Sequence, residues 1–216
     1  MKSLLGSAVL FALVAACAAP RTTSVRGEAE YPGELRPGAA LGAQVLWRQT
    51  VRARWPEGEE SFDAAVQVVG DEFLVLGLSP AGQVGFVLRY REGVVEVENH
   101  SGRDLVIPAR SVLLDVQRAL FPWIEGPAPV DGERVAERFG ERIEERYAEG
   151  RLRERRFERL DGLPAGAVVV RYEWPVDGPS RLAPPRLALD NGWFGYTLLV
   201  TTHEETRLES EEESQP

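Results

Sequence analysis

The sequence predicts a mainly β protein with short helices, and three observations support this. Apolar and polar residues alternate with a period of two over most of residues 44–102. Turn sequences rich in Gly, Pro and Asn separate the alternating stretches, and one segment after Pro108 changes to a helical period. Strict alternation is typical of antiparallel strands that bury one face. The two ends of the chain differ in composition and are predicted to lie outside this domain.

The N-terminus has the layout of a secretory signal. Lys2 precedes an apolar stretch, Leu4 to Ala16, which is too short for an ordinary membrane-spanning helix. The stretch ends in Leu13-Val14-Ala15-Ala16-Cys17, and Cys17 is the only cysteine of the chain. This ending resembles the bacterial lipobox, in which the cysteine is acylated and becomes the new N-terminus; the alternative is a plain signal peptide with an incidental cysteine. We predict that residues 1–16 are the lipoprotein signal peptide and that Cys17 carries the lipid anchor.

Composition divides the rest of the chain into three parts. Residues 17–43 contain several prolines and glycines and few large apolar residues, so they are predicted to be a flexible tether. Residues 204–216 contain six glutamates among Ser, Thr and Gln, which predicts an acidic disordered tail. Residues 44–203 are long enough for one domain with its own core. Ala18 follows the cysteine in place of an aspartate, which in lipoproteins of this type implies the outer membrane, with the domain facing the periplasm.

Charge and residue usage exclude several classes of function. The net charge is −9, and loss of Lys2 with the signal leaves a chain whose only permanent cation is arginine. Such an acidic chain is not expected to bind nucleic acid. His100 and His203 fall in a predicted turn and beside the tail, and without a second cysteine the usual zinc sites are not expected. Since phosphate-binding loops and nucleophile elbows are also missing from the sequence, we expect no enzyme and no cofactor.

The alternating stretches predict a meander of consecutive antiparallel hairpins between residue 44 and residue 102. Turns are predicted at Pro56-Glu57-Gly58, at Ser79-Pro80-Ala81-Gly82 and at Asn99-His100-Ser101-Gly102. The residues predicted to share the apolar face are Val45, Trp47, Val51, Ala53 and Trp55; Phe62, Ala64, Val66 and Val68; Leu74, Leu76 and Leu78; Val84, Phe86, Leu88 and Tyr90; and Val95 and Val97.

A helical segment follows the meander. Pro108 can occupy the first turn of a helix, where its missing N–H costs nothing. Leu113, Val116 and Leu120 have the spacing i, i+3, i+7 and form an apolar stripe, and Pro122 ends the segment. We predict a short amphipathic helix that lies on an apolar surface.

Residues 133–160 leave two interpretations open, and strands return after them. Glu and Arg at nearly every position favour a helix with i,i+4 ion pairs, whereas Ala148-Glu149-Gly150 fits the turn of a long polar hairpin. Further on, Asn191-Gly192 is typical of a hairpin turn. The apolar residues of the predicted closing strands are Val168, Val170, Tyr172 and Trp174; Leu187 and Leu189; and Tyr196, Leu198 and Val200.

The order of these elements resembles the LolA/LolB superfamily of lipoprotein carriers and, more narrowly, a family of LolB-like bacterial outer-membrane lipoproteins. The similarity covers roughly residues 47–202, and its best local signals are Gly77 to Gln83, Pro108 to Gln117, and Asn191 before Gly195-Tyr196. The resemblance implies an incomplete antiparallel β-barrel, or half-barrel, with an apolar concave face lidded by short α-helices. It also implies that residues 133–160 are mainly strand.

An apolar concave face would bind acyl chains, because each methylene group that leaves water contributes roughly 0.8 kcal/mol. Alternation identifies the apolar side of a strand but does not show whether that side is hollow. Ordinary core packing is therefore the alternative for every candidate. The candidate ligand-binding residues are Trp47, Leu76, Phe86, Leu88, Tyr172 and Tyr196 from the strands, and Leu113, Val116 and Leu120 from the helix.

The leading hypothesis is an outer-membrane lipoprotein that binds or transfers a lipid or acyl ligand in the periplasm. A first alternative is a LolB-type receptor that accepts lipoproteins from a periplasmic carrier. In that receptor the turn matching residues 79–82 carries an exposed leucine, and Ala81 stands there in this chain. This difference argues against insertion of lipoproteins and leaves lipid binding intact. A second alternative is a scaffolding lipoprotein with a filled core.

Overall fold

The computed structural model describes residues 31–79, 81–176 and 180–208. These residues form eleven strands, one α-helix and one 3-10 turn, which confirms the mainly β prediction. In chain order the elements are the 3-10 turn Gly38–Leu41, β1 Val45–Trp55, β2 Gly58–Val69, β3 Glu72–Leu78, β4 Val84–Arg91, β5 Val94–Asn99, α1 Ala109–Leu120, β6 Gly132–Arg138, β7 Glu141–Ala148, β8 Arg151–Arg159, β9 Ala167–Glu173, β10 Arg186–Asn191 and β11 Tyr196–Arg207.

All eleven strands belong to one open antiparallel sheet. Their order is β5-β4-β3-β2-β1-β11-β10-β9-β8-β7-β6. The long pairing of β1 with β11 joins the N-terminal meander to the C-terminal one. Because β5 and β6 are the edges, the sheet does not close, and the prediction of an incomplete antiparallel barrel is confirmed. We call the face that carries α1 the inner face and the opposite one the outer face.

The helix lies where the sequence predicts it. It begins after Pro108 and ends at Leu120, and its neighbouring residues Leu113 and Leu114 are both fully buried. Leu113 belongs to a core cluster under β1–β4 and Leu114 to a second cluster under β7–β11, so α1 joins the two halves of the sheet. The resemblance implied several lid helices, whereas the described residues contain this single α-helix; irregular segments before and after it cover more of the inner face.

Residues 133–160 form strands β6, β7 and β8, as the resemblance implied and contrary to composition. The inner face of β7 carries the buried Glu141, Ile143 and Glu145, and β8 adds the buried Arg155 and Phe157. Charged side chains therefore occupy several of the buried positions at which an alternating strand normally has apolar residues. The alternation is therefore hidden from a hydrophobicity pattern.

Both predicted boundaries of the domain need correction. Tyr31 is only 3% exposed, and Leu41 is buried in the core, so residues 31–43 pack on the domain and do not form a free tether. At the other end β11 continues to Arg207, which places Glu204 and Glu205 in a strand and not in a disordered tail. Residues 1–30, with the predicted signal peptide and Cys17, and residues 209–216 lie outside the described residues. Within the described part, no helix has the length and apolarity needed to cross a membrane.

Gly77 shows why the turn-proximal end of β3 needs a glycine. It pairs with Phe86 across β3 and β4, and a Cβ atom at Gly77 would overlap the Phe86 ring. The missing side chain lets that ring lie flat over the sheet and contact Phe62 edge-on, with ring centroids 5.8 Å apart.

Candidate functional site

A cleft of about 570 Å³ lies at the C-terminal end of α1 on the inner face. Its walls come from the end of α1, the turn between β7 and β8, the end of β9, the segment 180–184 and Leu41. The volume is within the range of roughly 300–1,000 Å³ that is typical of small-ligand sites. The large apolar and aromatic residues of its wall are Leu41, Leu120, Phe121, Leu152, Tyr172, Trp174 and Leu182. The Phe121 ring itself is fully buried against Phe73.

A bulge in β8 brings two wall residues onto the inner face. The register between β7 and β8 shifts after Arg146, so that Leu152 pairs with Tyr147 while Arg155 pairs with Glu145. Leu152 and Arg155 therefore both face the cleft although three positions separate them. The indole of Trp174 donates a hydrogen bond of 2.8 Å to the carbonyl of Leu152, which ties the end of β9 to the start of β8.

The end of α1 is satisfied by side chains of the sheet. The last carbonyls of a helix have no partners within the helix and need donors from elsewhere. Arg155 donates from Nη1 to the carbonyls of Arg118 at 2.6 Å and Phe121 at 2.9 Å, and the Tyr172 hydroxyl donates to the Ala119 carbonyl at 3.0 Å. Burial raises the pKa of Tyr172 to about 12, so its hydroxyl stays a donor at neutral pH.

Glu205 holds the segment that forms the opposite wall. Its carboxylate accepts hydrogen bonds of 3.0 Å from the backbone N–H groups of Leu182 and Ala183 and one of 2.9 Å from the Trp47 indole. Partial burial raises the pKa of Glu205, but these hydrogen bonds together lower it by more than burial raises it. The pKa of Glu205 is therefore below its ordinary value. Glu205 is therefore a structural residue of the cleft wall.

The Glu205→Gln variant is expected to lose a pH-dependent part of the stability. Because the pKa in the folded state is below the ordinary value of 4.5, the carboxylate stabilises the fold above that pH and loses this effect as the pH falls through the folded-state pKa. The difference in unfolding free energy between wild type and variant should be largest at neutral pH and shrink in acid, as measured by urea unfolding. Glu204→Gln, at the exposed neighbouring position, is the matched control. A difference that is constant with pH would contradict the prediction.

A buried polar cluster anchors α1 to the other side of the inner face. We call it the Asp115 cluster, and its members are Asp115, Arg118, Tyr31, Asn191 and Tyr196. Asp115 Oδ1 accepts from the Tyr31 hydroxyl and, at 3.2 Å, from Arg118 Nη1, and Oδ2 accepts from the Tyr196 hydroxyl and, at 3.1 Å, from Asn191 Nδ2. Burial, strengthened by the charge of Asp115, raises the pKa of both tyrosines, so they remain neutral donors.

Arg118 extends the Asp115 cluster to β7. Its Nη2 donates to Glu141 Oε1 at 2.7 Å, and its guanidinium lies 4.9 Å from the ring centres of both Tyr31 and Trp193. Burial raises the pKa of Glu141 despite this ion pair. Among the described residues, Arg118 Nε and Glu141 Oε2 have no hydrogen-bond partner. Since every polar group here faces the protein interior, we assign the Asp115 cluster a structural role.

Residues 46–204 match the model of the family described as "Protein of unknown function (DUF3261)", which is most of the chain. The chain belongs to the DUF3261 family. No curated protein matches its sequence.

Two solved structures are similar to this DUF3261 chain. A LolA superfamily protein from Nitrosomonas europaea is 11% identical with a TM-score of 0.47, and the match covers 83% of this chain and 97% of that one. A candidate outer-membrane lipoprotein-sorting domain from Vibrio parahaemolyticus is 11% identical with a TM-score of 0.45, and the match covers 79% of this chain and 88% of that one.

The structure distributes the nine predicted site residues of the DUF3261 chain over different environments. Leu120 and Tyr172 line the cleft. Trp47, Leu88 and Leu113 are fully buried in the core, where nothing from outside can reach them. The remaining residues are Phe86 and Val116, which pack partly buried against that core, Tyr196, which belongs to the Asp115 cluster, and Leu76, which lies on the outer face.

The placement of Leu76 is a correction. In β3 the buried side chains on the inner face are Phe73 and Val75, so Leu74, Leu76 and Leu78 point the other way and are half-buried. Nearly every residue of β3 is apolar, so the sequence pattern did not show which side of this strand faces the core. The neighbouring strand settles the orientation, because Val75 pairs with the fully buried Leu88.

Several wall residues were not predicted as site residues. Arg151, Leu152 and Leu182 lie in or beside segments that the sequence left ambiguous or without an element. Trp174 was placed on the apolar face of its strand but not in the site. The only sequence signal for this region is the Glu149-Gly150 turn, which brings β7 and β8 together at the edge of the cleft.

Proposed function

We propose that this protein is a lipid-anchored outer-membrane protein whose domain faces the periplasm and binds or transfers a lipid or acyl ligand. One observation carries the proposal, namely the cleft at the end of α1 with its apolar and aromatic wall. Elsewhere on the inner face, described side chains such as Trp47, Leu113 and Trp123 are buried in the core. The proposed binding site is therefore the cleft and not the whole inner face.

The physical chemistry of the cleft suits an acyl chain. Each methylene that leaves water for such a wall contributes roughly 0.8 kcal/mol without needing a directional partner. Leu120 and Leu152 offer aliphatic contacts, and Trp174 offers an aromatic one that is held in place by its hydrogen bond to Leu152. A wall that is already fixed loses little side-chain entropy when a ligand binds.

The lipid anchor would keep the cleft near the membrane. If Cys17 is acylated, the chain from Cys17 to Tyr31 spans at most about 50 Å when fully extended, at roughly 3.4 Å per residue. Since Tyr31 is packed into the domain, this length limits the distance of the domain from the bilayer. An acyl ligand could then be exchanged with the membrane over a short path.

Native mass spectrometry tests the proposal. The chain from Ala18 onward, which retains every described residue, is purified without its anchor and its bound lipids are extracted. We expect a bound acyl species, or its appearance after incubation with fatty acids and phospholipids. A mass that stays that of the bare chain after these incubations would contradict lipid binding and favour a scaffolding role.

The Leu152→Asp variant is expected to lose acyl binding. A carboxylate in the wall must be desolvated when an acyl chain covers it, and this costs several kcal/mol, equivalent to a loss of at least about tenfold in affinity. Leu199→Asp makes the same change at an exposed position of β11 and should bind as wild type does. Calorimetric titration with dodecanoate measures both, and thermal unfolding verifies that both are folded. Equal binding by the two variants would contradict the assignment of the cleft.

A further inference from the structure

The lining of the cleft contains several arginines, in a protein that is acidic overall. Arg151, Arg155 and Arg181 are among its lining residues, and none of the lining residues is Asp or Glu. The whole chain has a net charge of −9, so three arginines in the described lining are a local departure. Two carboxylates lie beside the lining: Glu145 pairs with Arg155, and Glu205 holds the segment 180–184. Such a departure, inside a cleft with an apolar wall, points to the chemistry of the ligand.

Arg155 does not provide a free positive charge for a ligand, because its guanidinium is already paired within the protein. Its Nε and Nη2 both contact Glu145 Oε1 at 2.8 Å, and its Nη1 donates to two carbonyls at the end of α1. Arg155 is also almost fully buried. It is a structural residue with a neutralised charge.

Arg151 and Arg181 are different. Neither forms an ion pair with any residue that the structure describes, and both are only partly buried. The guanidinium of Arg151 lies 5.5 Å from the ring centre of Trp174, which positions it on the aromatic wall. The charge of Arg181 acts on the carboxylate of Glu205, whose oxygens already accept hydrogen bonds from Leu182, Ala183 and Trp47. Among the described residues, Arg151 and Arg181 therefore line the apolar cleft without an ion-pair partner.

We infer that the ligand of this cleft is an acyl chain with an acidic headgroup, and that Arg151 and Arg181 bind the acid. The inference rests on the proposed function and names its ligand class. The planar guanidinium matches the oxygens of a carboxylate or phosphate and forms short, charge-assisted hydrogen bonds with them. The acyl chain lies against Leu152, Tyr172 and Trp174. The acidic surface elsewhere repels the headgroup, so the cleft is the favourable place for it.

Calorimetric titrations of the chain from Ala18 onward test this inference with matched probes below their micelle concentrations. Dodecanoate, dodecyl phosphate and dodecan-1-ol share one chain length and differ in headgroup. At low salt we expect at least one of the two acids to bind on the order of tenfold more tightly than the alcohol. This preference should diminish as salt screens the charges. The better of the two acids identifies the headgroup as carboxylate or phosphate.

Variants locate the effect at the two arginines. Arg151→Gln and Arg181→Gln should each weaken binding of the acid by roughly tenfold and leave binding of dodecan-1-ol unchanged. Arg91→Gln, at an exposed position of β4, is the control and should change neither. Inorganic phosphate and acetate alone should not bind detectably, because the acyl chain supplies much of the affinity.

Three outcomes would overturn the inference. Equal affinities for acid and alcohol, with no effect of either arginine variant, would show a neutral apolar site and leave the proposed function intact. Binding of inorganic phosphate or acetate as tight as that of the amphiphiles would show a site for free anions. Failure of every amphiphile to bind would overturn the proposed function together with the inference.

Discussion

Replacing Asp115 by alanine is expected to destabilise the domain by about 3–5 kcal/mol, because one partner of a buried ion pair is removed and the other stays. The carboxylate is 1% exposed and accepts from Tyr31, Tyr196, Asn191 and Arg118 at once. Without it two hydroxyls and one amide lose an acceptor inside the core, and Arg118 keeps only Glu141 as an ionic partner. The helix would lose its main polar attachment to β10 and β11.

Urea unfolding followed by circular dichroism measures this loss. Asp115→Asn should fall between wild type and Asp115→Ala, because an amide oxygen still accepts while the negative charge is gone. Asp104→Ala, at an exposed position before α1, is the control and should lie within about 0.5 kcal/mol of wild type. A loss at residue 115 no larger than that of the control would show that the cluster does not stabilise the fold.

Trp47→Ala is the second large effect, with an expected loss of about 3–5 kcal/mol of stability. The ring is fully buried in the core cluster under β1–β4, and the indole N–H is bonded to Glu205. The variant would leave a large cavity and would release one of the three hydrogen bonds that hold Glu205. We expect Trp47→Ala to act mainly on stability. Any loss of binding would be indirect, because Glu205 would hold the cleft wall less firmly.

Trp174→Ala is the matched comparison for Trp47→Ala. Trp174 is only partly buried and lines the cleft, so its removal should cost much less stability and should weaken dodecanoate binding directly. Unfolding free energies and calorimetric titrations on both variants separate the two roles. If Trp47→Ala left stability near wild type and abolished binding, Trp47 would belong to a hollow face and the assignment of the site to the cleft would be wrong.

Local patterns were sufficient for most of the fold. Pro108 and the stripe of Leu113, Val116 and Leu120 predicted α1 correctly, since both signals depend on neighbours within one helix. Strands β1 and β2 were visible because one face is largely polar and the other apolar, whereas β3 was recognised as a strand but wrongly oriented because it is apolar on both faces. Strands β6–β8 were not, because the buried positions Glu141, Glu145 and Arg155 are charged and pair with groups far away in the sequence.

The site was less predictable than the fold. An apolar side chain on the inner face has the same sequence pattern whether it fills the core, as Trp47 does, or lines a cleft, as Tyr172 does. The choice depends on how much of the inner face is covered by chain from elsewhere. In this protein, Tyr31 and Leu41 help to cover the inner face. Both belong to residues 17–43, whose composition predicted a flexible tether. Leu35 also packs on the core, and Arg36 exchanges backbone hydrogen bonds with the Gln117 side chain, so this segment belongs to the domain despite its composition.

The sequence by itself determined the periodicities, the turns and the helix, because these depend on the chemistry of residues a few positions apart. It also predicted the anchor at Cys17, which lies outside the described residues. Only the tertiary structure decided that Trp47 and Leu113 are buried in the core, that Arg155 bonds to the end of the helix, and that Arg151 and Arg181 line the same cleft. These features depend on contacts between residues distant along the chain, and such contacts arise only when the sheet, the helix and the irregular segments pack together.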